Sequence, residues 1–81
     1  MKVVFTDHAA IAAADAPAQV RKALHRQLAF LEHDLHHPSL RAKKYDESGD
    51  IWQARVNRSW RFYFKIIADR YVIEDVTPHP K

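Results

Sequence analysis

The sequence predicts an α+β domain in which an N-terminal strand and a two-helix hairpin precede a small, mostly antiparallel sheet, in the order β-α-α-β-β-β. Three observations carry this expectation. The chain opens on a short β-branched run, Lys2 to Phe5. Apolar residues then recur every three or four positions from Val20 to Leu35. Finally, apolar and polar residues alternate on both sides of Asn57-Arg58-Ser59, as in a hairpin with one buried face. At 81 residues there is room for one core, so residues 1–81 are expected to form a single domain.

After the first strand, Thr6 or Asp7 can cap a helix by accepting bonds from its first free N–H groups. The alanine-rich run from His8 to Ala14 continues it. Asp15-Ala16-Pro17 reads as a stop and a restart, because proline is tolerated in a first turn. A second helix is expected from Ala16 to Asp34, with Val20, Leu24, Leu28, Leu31 and Leu35 in one stripe that Ala23 widens. Arg21, Lys22, Arg26 and Glu32 occupy its other side. A link this short predicts an antiparallel helix pair.

Pro38 ends the helical region through its effect on the preceding residue. The polar stretch Arg41 to Asp50, which holds the only glycine, is expected to be a loop or an irregular approach to a strand. Three strands follow, at Ile51–Val56, Trp60–Ile67 and Tyr71–Thr77. No repeat, low-complexity tract or linker interrupts this order.

With Asn57-Arg58-Ser59 as the turn, Arg55 faces Arg61, Ala54 faces Phe62, Gln53 faces Tyr63 and Trp52 faces Phe64. One face then carries Trp52, Ala54, Val56, Trp60, Phe62, Phe64 and Ile66, and can cover the helices. The other carries Gln53, Arg55, Arg61, Tyr63 and Lys65, and no helix is left to cover it. Like charges opposite each other in a sheet are normally unfavourable. An open face with three cations and a tyrosine suits phosphate and an RNA base. The ordinary alternative is that each arginine meets a carboxylate such as Asp75. Tyr71 and Ile73, or Val72 and Val76, have equal claims to face the core, so the last strand stays unassigned.

Composition narrows the function. Apolar content of 47% excludes a disordered chain. The absence of cysteine excludes disulfides and thiolate chemistry. No apolar run spans a bilayer and no signal-like segment opens the chain, which predicts a soluble cytoplasmic protein with no membrane partner. The net charge of +3 lies wholly in residues 41–81. That asymmetry points to a polyanion, with an ordinary solvated surface as the alternative.

In sequence order, Gly49, Ile51-Trp52, Arg55-Val56, Trp60-Arg61-Phe62 and the terminal His79-Pro80-Lys81 resemble the RelE/ParE superfamily of toxins from bacterial type II toxin–antitoxin systems. The resemblance covers nearly the whole chain and lies nearest the RelE and YoeB-like branch. It implies a ribosome-dependent endoribonuclease that cuts mRNA, and a cognate antitoxin as partner. Arg61 matches the arginine early on the second hairpin strand, and Arg55 a basic residue on the strand before. His79 matches the catalytic histidine that ends the last strand in YoeB-like members; RelE-like members use lysines and arginines there, and Lys81 could serve. Lys43 and Lys44 match basic residues that contact RNA. Gln53, Tyr63 and Lys65 on the same face complete the expected substrate-binding set.

The chemistry so implied is attack of the RNA's own 2′-OH on the adjacent phosphate, which needs no metal or other cofactor. It needs cations on the phosphate, an acid for the leaving oxygen and a base. Arg61 and Arg55 suit the first role and His79 the second. YoeB-like toxins place a glutamate before the hairpin, where this chain has Arg41, Ala42, Lys43 and Lys44. Glu47 is the nearest carboxylate, and a lysine is the other candidate base. Many RelE members also carry a C-terminal helix with a catalytic tyrosine; Tyr45 and Tyr63 are not obvious replacements.

The ParE branch has the same fold and inhibits DNA gyrase without the ribonuclease residues, which makes a non-nuclease gyrase inhibitor the alternative. A nucleic-acid-binding module with a degenerate site is a third. His33, His36 and His37 could in principle hold zinc. They are better placed as partners of a helix C-terminus, so no metal site is expected.

Overall fold

A computed structural model describes residues 1–79. The elements run β1 (Lys2–Phe5), α1 (Asp7–Asp15), α2 (Ala18–His33), a 3-10 turn (Pro38–Leu40), β2 (Lys43–Asp46), β3 (Ile51–Arg55), β4 (Trp60–Ile67) and β5 (Arg70–Pro78). The sheet has the order β1-β5-β4-β3-β2. Only the β1–β5 pair is parallel. This is the expected α+β arrangement with one strand more. No helix of the described residues is long and apolar enough to cross a membrane.

Thr6 is the cap of α1. Its backbone is extended, and its hydroxyl accepts from the Ala9 N–H at 3.0 Å. Pro17 stands just outside α2 with ψ of 152°, so this helix starts two residues later than expected. It ends at His33, one residue early, because Asp34 is already extended.

The added strand is β2. Its sequence, Lys-Lys-Tyr-Asp, shows no apolar alternation because it is an edge strand, and lysines and a register irregularity suit an edge. The turn after it is tied by Asp46, whose carboxylate accepts from the Ser48 hydroxyl and from the Ser48 and Gly49 N–H groups. These bonds, the Ser48 hydroxyl first, hold its pKa below the usual carboxylate value.

Phe62, Phe64, Leu31, Leu40 and Ile73 are fully buried. Burying each such side chain contributes about 1.5–3 kcal/mol. Trp52, Trp60 and Ile66 pack against this core at its margin, as the alternation requires. On β5 the structure resolves a phase that the sequence leaves open. Tyr63 pairs with Asp75 while Phe64 pairs with Ile73, so Glu74 is an extra residue in a β-bulge. The bulge moves the alternation by one. Tyr71 and Ile73 face the core before it, and Val76 faces the core after it.

Candidate functional site

The β3–β4 hairpin has the register that the alternation predicts, with Arg55 opposite Arg61 and Gln53 opposite Tyr63. Its turn is closed by Asn57, whose side-chain oxygen accepts from the Ser59 and Trp60 N–H groups, both at 2.9 Å. This frees the Asn57 carbonyl to face the two arginines. Arg55 Nε donates to it at 3.2 Å and Arg61 Nη1 at 2.8 Å. Arg61 Nη1 also donates to the Trp60 carbonyl at 2.9 Å.

A hydrogen bond to a charged group contributes about 1.5–3 kcal/mol. A cross-strand pair is worth at most about 1 kcal/mol in either sense. The shared carbonyl therefore outweighs the repulsion and holds the guanidinium groups together. It does not cancel their charge, because a carbonyl is only a dipole. Nor does a carboxylate cancel it. The ion pairs among the described residues are His8–Asp75, Lys44–Asp50 and Lys65–Glu74. Asp75, the carboxylate that could have neutralised an arginine, sits 3.1 Å from His8 Nε2 and accepts from the Val76 N–H.

These arginines line a cleft of about 220 Å³ together with Arg41, Lys43, Gln53 and His79. Its lining holds three arginines, a lysine and no acid. Arg61 is half-buried there, and its pKa is pushed down first by burial and then by the Arg55 cation, with a smaller push from Arg41. It remains charged at any physiological pH. His79 reaches the rim because its N–H donates to the Ser59 carbonyl at 2.7 Å, fixing the residue after β5 to the hairpin turn.

Arg41 is a site residue that sequence reasoning missed. It follows the 3-10 turn with φ of 47° and ψ of 42°, a left-handed conformation. That conformation costs a side-chain-bearing residue roughly 1–2 kcal/mol. Gln27 was missed as well. Only 5% exposed, it stands among the buried residues of α2. Its amide donates to the Ser39 carbonyl at 3.0 Å and to the Arg55 carbonyl at 2.8 Å, and its oxygen accepts from the Ser39 hydroxyl at 3.1 Å. One buried side chain thus ties the segment leading to Arg41 onto the end of β3 that carries Arg55. The available signal was its phase. Gln27 lies three residues after Leu24 and four before Leu31, within the apolar stripe.

The remaining expected residues divide. Tyr63 adjoins the cleft and accepts from Gln53 Nε2 at 3.1 Å; its ring meets that of Tyr45 edge-on at 5.0 Å between centroids. Lys65 lies further along β4 and pairs with Glu74 at 3.6 Å. Lys44 is parted from the group. Strand alternation puts it opposite Trp52, with its ammonium 5.4 Å from the indole centre and paired with Asp50. Glu47 lies in the β2–β3 turn and does not line the cleft. Lys81 lies outside the described residues. His37 stacks on Phe30 at 3.9 Å and accepts from the Ser39 N–H. Among the described residues, no group of three or more His, Cys, Asp or Glu side chains could hold a metal ion.

No family model matches the sequence, and no curated protein matches it. Solved structures do match. The chain is similar to a YoeB/ParE toxin from Agrobacterium tumefaciens, with a TM-score of 0.81 at 13% identity, over 99% of this chain and 100% of that one. It is similar to YoeB of a Staphylococcus aureus dimer, with a TM-score of 0.79 at 12% identity, over 99% and 98% of the two chains. A chain of the archaeal RelE–RelB complex from Pyrococcus horikoshii gives 0.76 at 16% identity, over 95% and 92%. The described residues therefore have the fold of the RelE, YoeB and ParE toxins.

Proposed function

We propose that this chain is the toxin of a type II toxin–antitoxin pair and that it cuts messenger RNA at the ribosome without a metal. The observation that supports the ribonuclease assignment is the cleft itself. Arg41, Lys43, Arg55 and Arg61 converge on it with no carboxylate partner among the described residues, and a histidine stands on its rim.

An RNA phosphate in the cleft offsets the mutual repulsion of these cations. Arg55 spends one of its five N–H donors on the Asn57 carbonyl, and Arg61 uses only Nη1 within the fold. The remaining donors are available to the non-bridging phosphate oxygens. As the 2′-oxygen attacks, the new P–O2′ bond forms and the P–O5′ bond breaks, leaving a 2′,3′-cyclic phosphate and a 5′-OH. Charge grows on the phosphate oxygens in between, where fixed donors matter most. His79 gives the proton to the departing O5′. Lys43 is the lining group left for the role of base toward the 2′-OH, since arginine does not exchange protons here.

The P. horikoshii RelE chain is solved bound to RelB. We assign this chain an antitoxin too, one that covers the open basic face. Its place of action is the cytoplasm, where mRNA is translated.

The test is expression of the protein with mapping of new 5′-OH ends across cellular mRNA, for the parent and Arg61→Ala. Losing one preorganised donor to a developing oxyanion lowers rate by about 100–1000-fold. The variant should stop producing ends while staying folded by circular dichroism at the assay temperature. A variant as toxic as the parent would remove Arg61 from the site. Inhibition of DNA supercoiling with no new mRNA ends would make the chain a gyrase inhibitor instead.

A further inference from the structure

The cleft does not end at its own rim. Arg41 and Arg55 also line a second depression, of about 500 Å³, which runs over the 3-10 turn toward α2. Arg26 and Arg58 stand on it, and Phe30 and Pro38 contribute to its lining. Both of the new arginines are exposed, and neither belongs to an ion pair among the described residues. The opposite side of the cleft differs in sign. There a depression of about 430 Å³ is lined by Tyr45, Tyr63, Glu74 and Asp75 and by no cation.

We propose that Arg26 and Arg58 form a second phosphate-binding subsite, so that a single strand of RNA leaves the cleft over the 3-10 turn and the hairpin turn rather than across Tyr63. This rests on the assignment of RNA as the ligand of the cleft. Charge sets the direction. A polyanion gains by moving from Arg55 and Arg41 toward Arg58 and Arg26, and loses by moving toward Glu74 and Asp75. Contacts of this kind, to phosphate, position the strand without reading its sequence.

The test measures binding and needs no cleavage. The probe is a 2′-O-methyl uridine octamer, which lacks the attacking hydroxyl, and its affinity is followed by fluorescence anisotropy as salt rises. Neutralising two phosphates of a single strand contributes roughly 1.4 to the slope of log affinity against log salt. Parent protein should therefore lose about seven-fold more affinity than Arg26→Gln/Arg58→Gln between about 50 and 200 mM salt. The charge-keeping pair Arg26→Lys/Arg58→Lys should restore the parent slope. A dinucleotide, which has one phosphodiester, should bind parent and variant alike.

Equal slopes for parent and the glutamine variant would overturn the subsite. So would a polyglutamate peptide that loses affinity on the double substitution while the octamer does not, since that would assign the surface to an acidic protein partner. The octamer result is independent of catalysis. A slope difference without mRNA cleavage would keep the subsite and sink the ribonuclease assignment, and cleavage with equal slopes would do the reverse.

Discussion

Replacing Gln27 by leucine tests how the cleft is held. The substitution keeps the side chain's bulk and removes its amide. In the parent, that amide serves the Arg55 and Ser39 carbonyls and accepts from the Ser39 hydroxyl. A buried polar group left without its partner costs about 1–3 kcal/mol. Ser39 is exposed, so water replaces much of what its groups lose. Arg55 is half-buried, so its carbonyl is less readily compensated by water. The loss then comes to about 3 kcal/mol, and the added apolar surface of leucine returns about 1 kcal/mol of it. A net cost of about 2 kcal/mol lowers Tm by about 8–16 °C in a domain of this size. The fold should survive, because a chain of this length is stable by roughly 4–12 kcal/mol. Thermal unfolding followed by circular dichroism checks the shift. RNA affinity measured well below the variant's Tm checks the consequence for Arg41 and Arg55, which the amide no longer fastens together. A Tm within about 3 °C of the parent's would refute the reasoning, because the expected loss is several times larger.

Two further substitutions address the chemistry and the backbone of the site. His79→Ala should lower cleavage by about 100–10,000-fold, the range for a lost proton-transfer group, while octamer binding persists; single-turnover cleavage with the parent's rate would return His79 to a structural role. Arg41→Gly should weaken RNA binding without lowering stability. It relieves a left-handed residue at φ of 47°. Relief of roughly 1–2 kcal/mol offsets the added freedom of glycine in the unfolded chain, about 0.4–1 kcal/mol. Urea melts should show a midpoint equal to or above the parent's, and a clearly lower midpoint would mean that the Arg41 side chain holds the fold.

The hairpin at the centre of the site was legible because its information is local. Asn57-Arg58-Ser59 fixes the pairing, and alternation on both sides leaves one register that buries Trp52, Phe62 and Phe64 together. The same logic failed on β5, where the extra residue Glu74 changes the phase midway and gives both candidate patterns half of the truth. It failed on β2 because an edge strand with lysines lacks the buried face that alternation reports. Of the cleft, Arg55, Arg61, Gln53, Lys43 and His79 were legible from strand position and family resemblance. Arg41 was not, because a left-handed turn residue leaves no periodic trace. Lys44 was misplaced with Lys43 because neighbours on a strand point opposite ways, and their phase was unknown until β2 had a register.

The parallel pairing of β1 with β5 also governs when this protein comes into being. The first strand has no partner until residues 70–78 have been made, since β5 is the neighbour it needs and β5 also sits against β4. Contacts spanning almost the whole polypeptide form late and slow the search for the native state. A nascent copy still threaded in the translating machinery lacks the strand that joins its two halves, and lacks His79 clasped to Ser59. The cleft residue that follows β5 therefore takes its place against the hairpin turn only when the sheet closes, so the site and the fold are completed in the same step.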